Sequence, residues 1–83
     1  MRPSRVYPYT FFGRVPRGVN DVEMCTELVK RFPKTDLLCV QDFGGGKFEV
    51  SFRNMDAVNR FLADPVLTIR GRLVRFRYLG VQA

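Results

Sequence analysis

The sequence has no histidine and only two cysteines, Cys25 and Cys39, among its 83 residues. Structural zinc sites take about four cysteine or histidine ligands, and disulfide frameworks take several paired cysteines, so the sequence supports neither. Both cysteines stand in apolar surroundings, and we expect them to be buried free thiols. Such thiols are typical of a reducing compartment, which predicts an intracellular location, cytoplasmic or nuclear, without metal or cofactor.

The groups that most often carry catalysis are also missing. There is no imidazole base, neither cysteine has a basic partner beside it, and no close carboxylate pair supports acid–base chemistry. Residues 13–19 look faintly like the phosphate loop of acylphosphatases, but Val22 stands where those enzymes have an arginine. We therefore expect no catalytic residues and no enzyme activity.

Long apolar runs are absent, so no segment is expected to span a membrane. Residues 1–8 carry Arg2 and Arg5 without the apolar stretch of a signal peptide, which predicts a flexible basic arm and no secretion. The length suits one compact domain, expected over residues 9–79, followed by a short tail at 80–83.

Negative charge is scarce: the sequence has eight carboxylates against eleven arginines and three lysines, which gives a net charge of +6. Arginine suits bidentate contact with phosphate and stacking on bases, so the balance indicates an anionic partner. The alternative is that the charge serves only solubility.

Alternation and capping signals predict six elements in the order strand, helix, strand, strand, helix, strand. Asn20, with Glu23 three residues later, begins a helix that Pro33 ends, and Asn54 begins a helix that Pro65 ends. The helix at 55–64 and the strands at 9–15, 36–43, 47–53 and 73–79 complete the pattern, with residues 44–46 as a glycine hairpin.

Apolar periodicity then assigns the core. The expected inward residues are Val22, Cys25, Leu28, Val29 and Phe32 of the first helix, Ala57, Val58, Phe61 and Leu62 of the second, and Phe48, Val50, Phe52, Val74, Phe76 and Tyr78 of the strands. The predicted class is α+β, a ferredoxin-like split βαβ fold (βαββαβ) with two helices on one face of a four-stranded antiparallel sheet. The other face of the sheet is left bare.

From about Tyr9 to Tyr78 the chain resembles the RNA recognition motif (RRM) family. The hexapeptide of that family's first strand matches residues 10–15, which implies an exposed stacking position for Phe11 and a core position for Phe12. The family's octapeptide matches residues 45–52, where the two exposed aromatic positions are occupied by Lys47 and Glu49. Domains of this kind that lack those aromatics often hold another protein, so a protein-interaction or oligomerisation module is the alternative function.

Residues 11–19, 38–42 and 74–80 also look like the region that precedes the zinc knuckles in CCHC-type zinc-finger proteins, including gag-like proteins of retrotransposons. That resemblance implies nucleic-acid binding shared with CCHC knuckles located downstream in a longer protein.

The predicted function is non-catalytic binding of RNA or single-stranded DNA with limited sequence preference. Arginine and lysine side chains would contact phosphates, and Phe11 would stack on a base. The alternatives are that Phe11 packs under the amino-terminal arm, that the first turn is merely solvated, and that the charged last strand only prevents aggregation. The candidate nucleic-acid-binding residues are Phe11, Arg14, Arg17, Lys47, Arg75 and Arg77.

Overall fold

The computed structural model describes residues 7–80, so most of the predicted arm and tail lies outside the described residues. Two helices and six strands follow one another along residues 7–80. They are β1 (Thr10–Arg14), α1 (Asp21–Leu28), β2 (Leu37–Asp42), β3 (Lys47–Phe52), α2 (Met55–Ala63), β4 (Val66–Ile69), β5 (Arg72–Arg75) and β6 (Arg77–Gly80), with a short 3₁₀ turn at Lys34–Asp36. Within residues 7–80 no helix has the length and apolar character needed to cross a membrane.

The strands form two sheets. The main sheet is antiparallel with the strand order β2-β3-β1-β6, and β4 pairs with β5 in a separate two-stranded sheet, the β4–β5 ribbon. The predicted α+β class, with two helices and a four-stranded antiparallel sheet, is therefore confirmed. The ribbon was not predicted.

Both predicted helix starts are confirmed by the capping hydrogen bonds. The side-chain oxygen of Asn20 accepts from the backbone N–H of Glu23 at 2.9 Å, and that of Asn54 accepts from Ala57 N–H at 2.8 Å. Each bond satisfies one of the backbone donors that a helix leaves without an internal partner. Helix α1 ends at Leu28, however, and not just before Pro33 as predicted.

The predicted core face of α1 is partly wrong. Met24 and Leu28, four residues apart, are buried, whereas Val22 is 68% exposed and Val29 is 39% exposed. The stripe through Met24 and Leu28 faces the sheet, and this rotation places Cys25 on the solvent side. Cys39 is only half-buried, so the expectation of two buried thiols is also wrong.

The core is one cluster that joins both helices to the inner face of the main sheet. The Phe61 ring of α2 lies 4.8 Å from Phe11 and 5.6 Å from Phe52, between ring centroids. Ala57 and Val58 of α2 are buried as predicted, whereas Leu62 is exposed.

The predicted last strand is divided between the two sheets at Phe76. The Phe76 N–H donates to the Pro65 carbonyl at 2.7 Å, outside either ladder, and the Phe76 ring lies against Gly13 of β1. A Cβ at Gly13 would overlap that ring, so only glycine fits there. The predicted alternation is still confirmed: Val74 and Phe76 are buried, and Arg75 and Arg77 are exposed.

The β4–β5 ribbon is tied to α1 at its turn. Arg70 donates from Nε to Glu23 at 2.9 Å and also bonds the Gly18 carbonyl, at 3.3 Å. The hydrogen bonds that Arg70 donates to the Glu23 carboxyl, together with the charge of Arg70, hold the pKa of that carboxyl below its usual range. On the ribbon's other side Leu67, Ile69 and Val74 are buried in the core.

Candidate nucleic-acid interface

The side of the main sheet opposite the core carries the candidate site. In antiparallel pairs, residues directly opposite each other point to the same side. The register pairs Phe12 with both Glu49 and Arg77, pairs Gln41 with Glu49, and pairs Arg14 with Lys47. We define the outer face by these six residues: Phe12, Arg14, Gln41, Lys47, Glu49 and Arg77.

The prediction that Phe11 is the exposed stacking residue and Phe12 a core residue is wrong. Phe11 is 0% exposed and packs against Phe52, Phe61 and Tyr78. It is paired with Val50 and Tyr78, and Val50 is fully buried on the inner face. Because side chains alternate along a strand, Phe12 points to the outer face.

Phe12 is half-buried on this face and has a cation beside it. The Arg77 guanidinium carbon lies 5.6 Å from the centroid of the Phe12 ring. That distance is typical of a cation–π contact, in which the cation meets the ring's electron-rich face. Arginine next to an aromatic ring can stack on a base or contact the phosphate that follows it.

Two like charges stand directly opposite each other at the hairpin end of the face. Arg14 and Lys47 are exposed cross-strand partners on β1 and β3. Like charges in this position destabilise a sheet unless an anion lies between them. A bound phosphate group would relieve the repulsion.

The other end of the face is covered. The Thr10 hydroxyl donates to the Tyr7 carbonyl at 3.0 Å and shares a 2.8 Å hydrogen bond with the Ser51 hydroxyl. Thr10 and Ser51 are consequently buried although they belong to the outer side of their strands. The accessible part of the face is therefore its hairpin end.

The two remaining predicted residues lie at the margins. Arg17 is exposed in the turn after β1, which the hydrogen bond from Val19 N–H to the Pro16 carbonyl closes. Arg75 is exposed on β5, so it belongs to the β4–β5 ribbon and not to the main sheet with Arg77. The structure brings together Phe12, Arg14, Lys47 and Arg77, with Arg17 and Arg75 outside this group.

A shallow hollow of about 160 Å³ opens on the outer face, lined by Phe12, Phe43, Lys47 and Glu49. Sites for drug-sized ligands are usually about 300–1,000 Å³, so this hollow suits a smaller flat group. Sequence reasoning missed Phe12 and Phe43 as functional candidates. The outward orientation of Phe12 could have been inferred from Arg14, because residues two apart on a strand share a side.

The described residues offer little for metal or nucleophilic chemistry. Within residues 7–80 no three histidine, cysteine, aspartate or glutamate side chains lie close enough together to hold a metal ion. Partial burial, and to a lesser extent the neighbouring Asp21 carboxylate, raise the pKa of the Cys25 thiol, which disfavours the reactive thiolate.

The outer face thus presents one aromatic ring, three cations and one carboxylate on adjacent strands. Such a surface can stack on a flat ring and neutralise nearby phosphates. The chain matches no family model, no curated protein and no solved structure.

Proposed function

We propose that this domain is a non-catalytic module that binds RNA or single-stranded DNA through the outer face of its main sheet. The observation that carries the proposal is the position of Phe12, half-buried on that face with the Arg77 guanidinium carbon 5.6 Å from the centroid of its ring. Arg14 and Lys47 are cross-strand partners in the adjoining row and would contact phosphates. Arg17 and Arg75 would extend the contact at the margins.

A single strand fits this face better than a duplex. Unpaired bases can lie flat on an exposed aromatic ring, and each such stack contributes about 1–3 kcal/mol regardless of sequence. Bases inside a duplex are already stacked and present only their edges. The net charge of +6 supplies the general attraction to phosphate on which limited sequence preference depends.

The strand order supports a finer assignment of the fold within this proposal. If β6 counts as the fourth strand and the β4–β5 ribbon as an insertion before it, the order β2-β3-β1-β6 is that of a ferredoxin-like split βαβ sheet. An RRM-like domain has this order. We place the chain there, as part of a longer protein resembling CCHC-type zinc-finger and retrotransposon gag-like proteins, among them zinc finger CCHC domain-containing protein 3.

Removing two cations from the outer face should weaken binding to every single-stranded sequence. For Lys47→Ala combined with Arg77→Ala, we expect the slope of log K against log salt to become shallower by about 1.4, since each lost phosphate contact contributes about 0.7 for single strands. The measurement is fluorescence anisotropy with labelled single-stranded RNA, single-stranded DNA and duplex at several salt concentrations.

The matched control removes the same charge from the helical side of the domain. Lys30 and Lys34 are exposed, and Lys30 pairs with Glu27 at 3.0 Å. Lys30→Ala combined with Lys34→Ala should leave the salt slope nearly unchanged. An equal loss of slope in both double variants would remove the outer face from the proposal.

Phe12→Ala should weaken binding in a different way. We expect a loss of about 1–3 kcal/mol, roughly 5- to 150-fold in affinity, with an unchanged salt slope, because stacking releases no counterions. The same anisotropy titration measures it. Leu73, which is 79% exposed on the β4–β5 ribbon, provides the apolar control. If Leu73→Ala weakens binding as much as Phe12→Ala does, then Phe12 is not a stacking platform.

The exposed side of α1 favours the second candidate, a protein-interaction module. Val22 and Val29 are exposed there beside Cys25, along a shallow groove completed by Asp21, Thr26 and Lys34. An apolar contact at this surface would change little with salt, unlike phosphate binding. Absence of nucleic-acid binding at low salt, together with salt-insensitive self-association in sedimentation, would favour this candidate over the first.

A further inference from the structure

We propose that the hollow lined by Phe12, Phe43, Lys47 and Glu49 is a subsite for one nucleobase and that Glu49 makes it selective for guanine. The inference rests on the proposed function and adds a base preference to it. Glu49 is a carboxylate on a face whose other charged residues are all cations. A negative charge in the middle of a phosphate-binding face repels the backbone of the ligand, so its position requires another partner.

Glu49 has no such partner within the described part of the protein. Among residues 7–80 its carboxylate accepts no hydrogen bond and forms no ion pair, although cations stand on either side. Lys47 lies two residues before Glu49, on the same side of β3. Arg77 lies on β6, where it is the cross-strand partner of Phe12 on the side away from Glu49. Both cations are thus left available for phosphate, and the carboxylate for a group that donates hydrogen bonds.

The register places this carboxylate at the edge of a stacked base. Glu49 is the direct cross-strand partner of Phe12, and such partners have Cβ atoms about 4.5–5.5 Å apart. A base lying on the Phe12 ring within the hollow would turn one edge toward β3. Glu49 and Lys47, which line the hollow from β3, would meet that edge.

Guanine is the base whose edge matches a carboxylate. A carboxylate only accepts hydrogen bonds, through two oxygens. Guanine offers two adjacent donors, N1–H and the N2 amino group, so that each carboxylate oxygen would accept one hydrogen bond. Adenine and cytosine place a ring-nitrogen acceptor beside their amino group, and uracil places a carbonyl on each side of its single N–H. With those bases, one carboxylate oxygen would face another acceptor.

The test uses short single-stranded oligouridine RNAs in which only the central base is varied among guanine, adenine, cytosine, uracil and hypoxanthine. One guanine per probe avoids self-association of guanine runs. For the wild-type domain, anisotropy should give an affinity roughly ten- to a hundredfold higher for the guanine probe, as expected for a bidentate contact between a side chain and a base. Hypoxanthine keeps N1–H and O6 but lacks the N2 amino group, so its probe should lie between guanine and uracil.

Glu49→Ala should abolish the guanine preference while keeping or strengthening binding to the all-uridine probe, because both acceptor oxygens and a repulsive charge are removed. Alanine is used rather than glutamine, whose amide could still accept from guanine N1–H and donate to O6. Thermal unfolding should show an unchanged fold, since the Glu49 carboxylate forms no hydrogen bond or ion pair among residues 7–80 that the variant would lose. Glu27→Ala on α1 removes the same charge away from the face and should leave the preference intact. Equal wild-type affinity for all five probes, or a preference that survives in Glu49→Ala, would overturn the base preference and leave the proposed function standing. Wild-type binding to none of the probes at low salt would overturn both.

Discussion

Phe11→Ala is expected to lower the free energy of unfolding by about 3–5 kcal/mol, the usual cost of removing a buried aromatic ring. The ring is fully buried, with centroids of Phe61 and Tyr78 at 4.8 and 4.9 Å, so its loss leaves a cavity between the sheet and α2. Small domains are stable by only about 5–15 kcal/mol in total. Urea denaturation should therefore show a large drop in the midpoint, without a specific effect on stacking while the domain stays folded.

Phe12→Ala serves as the matched variant in the same denaturation experiment. Its ring is half-buried and forms a cation–π pair with Arg77, which is worth about 0.5–1 kcal/mol at an exposed site. We expect a cost of about that size. The opposite ranking, with Phe12→Ala the more destabilising of the two, would show that Phe12 and not Phe11 points into the core.

Gly46→Ala is expected to destabilise the domain by about 2–5 kcal/mol, combining a left-handed backbone with overpacking. Gly46 has φ +84°, and an added Cβ would overlap the carbonyl oxygen of Val15. That neighbour is backbone and cannot rotate away. The Gly46 carbonyl also accepts the Val15 N–H at 2.7 Å, so relief of the clash would break the bond that joins the hairpin to the end of β1.

The neighbouring glycines separate the cost of the left-handed backbone from the cost of overlap with Val15. Gly44 and Gly45 also have positive φ, at +84° and +64°, but an added Cβ meets nothing within 4 Å at either position. Alanine there should cost only about 1–2 kcal/mol from backbone conformation. Urea denaturation of the three single variants measures the difference, and equal costs would mean that the contact with Val15 contributes nothing.

Local signals in the sequence were sufficient for most of the fold. Asn20 and Asn54 begin helices because their side chains can accept a backbone N–H, a property of a few neighbouring residues. The glycine run at 44–46 supplies the positive φ values of a tight hairpin. The period of two along β3 correctly assigned Phe48, Val50 and Phe52 to the core, although Ser51, on the other side of the strand, is buried as well.

The site was harder to predict because two aromatic residues stand side by side in β1. Phe11 and Phe12 are equally apolar, so composition does not say which one faces the core. Alternation does, since Gly13 lies with Phe11 on the inner side under Phe76, and Arg14 lies with Phe12 on the outer side. The resemblance to a family motif assigned the opposite orientation and outweighed this signal.

The β4–β5 ribbon was not predicted, for a different reason. Its strands have only four residues each, and the tight turn at Arg70 and Gly71 requires positive φ at both positions, a conformation unusual for arginine. Its stability comes from burying Leu67, Ile69 and Val74 in the core, which is a tertiary effect. The rotation of α1 toward Met24 likewise depends on what the sheet presents to it.

The chain passes from the β4–β5 ribbon to the main sheet at Phe76. Which side chains of β6 reach the outer face therefore depends on the number of residues between Phe76 and the start of β6. Phe76 packs against Gly13, so the next residue, Arg77, must point outward and Tyr78 inward against Phe11. One extra residue between Phe76 and Arg77 would turn every side chain of β6 to the opposite side. Tyr78 would then reach the surface and a guanidinium would enter the core. A single inserted codon would thus exchange a cation for an aromatic ring on the outer face, with none of the six residues that define that face replaced.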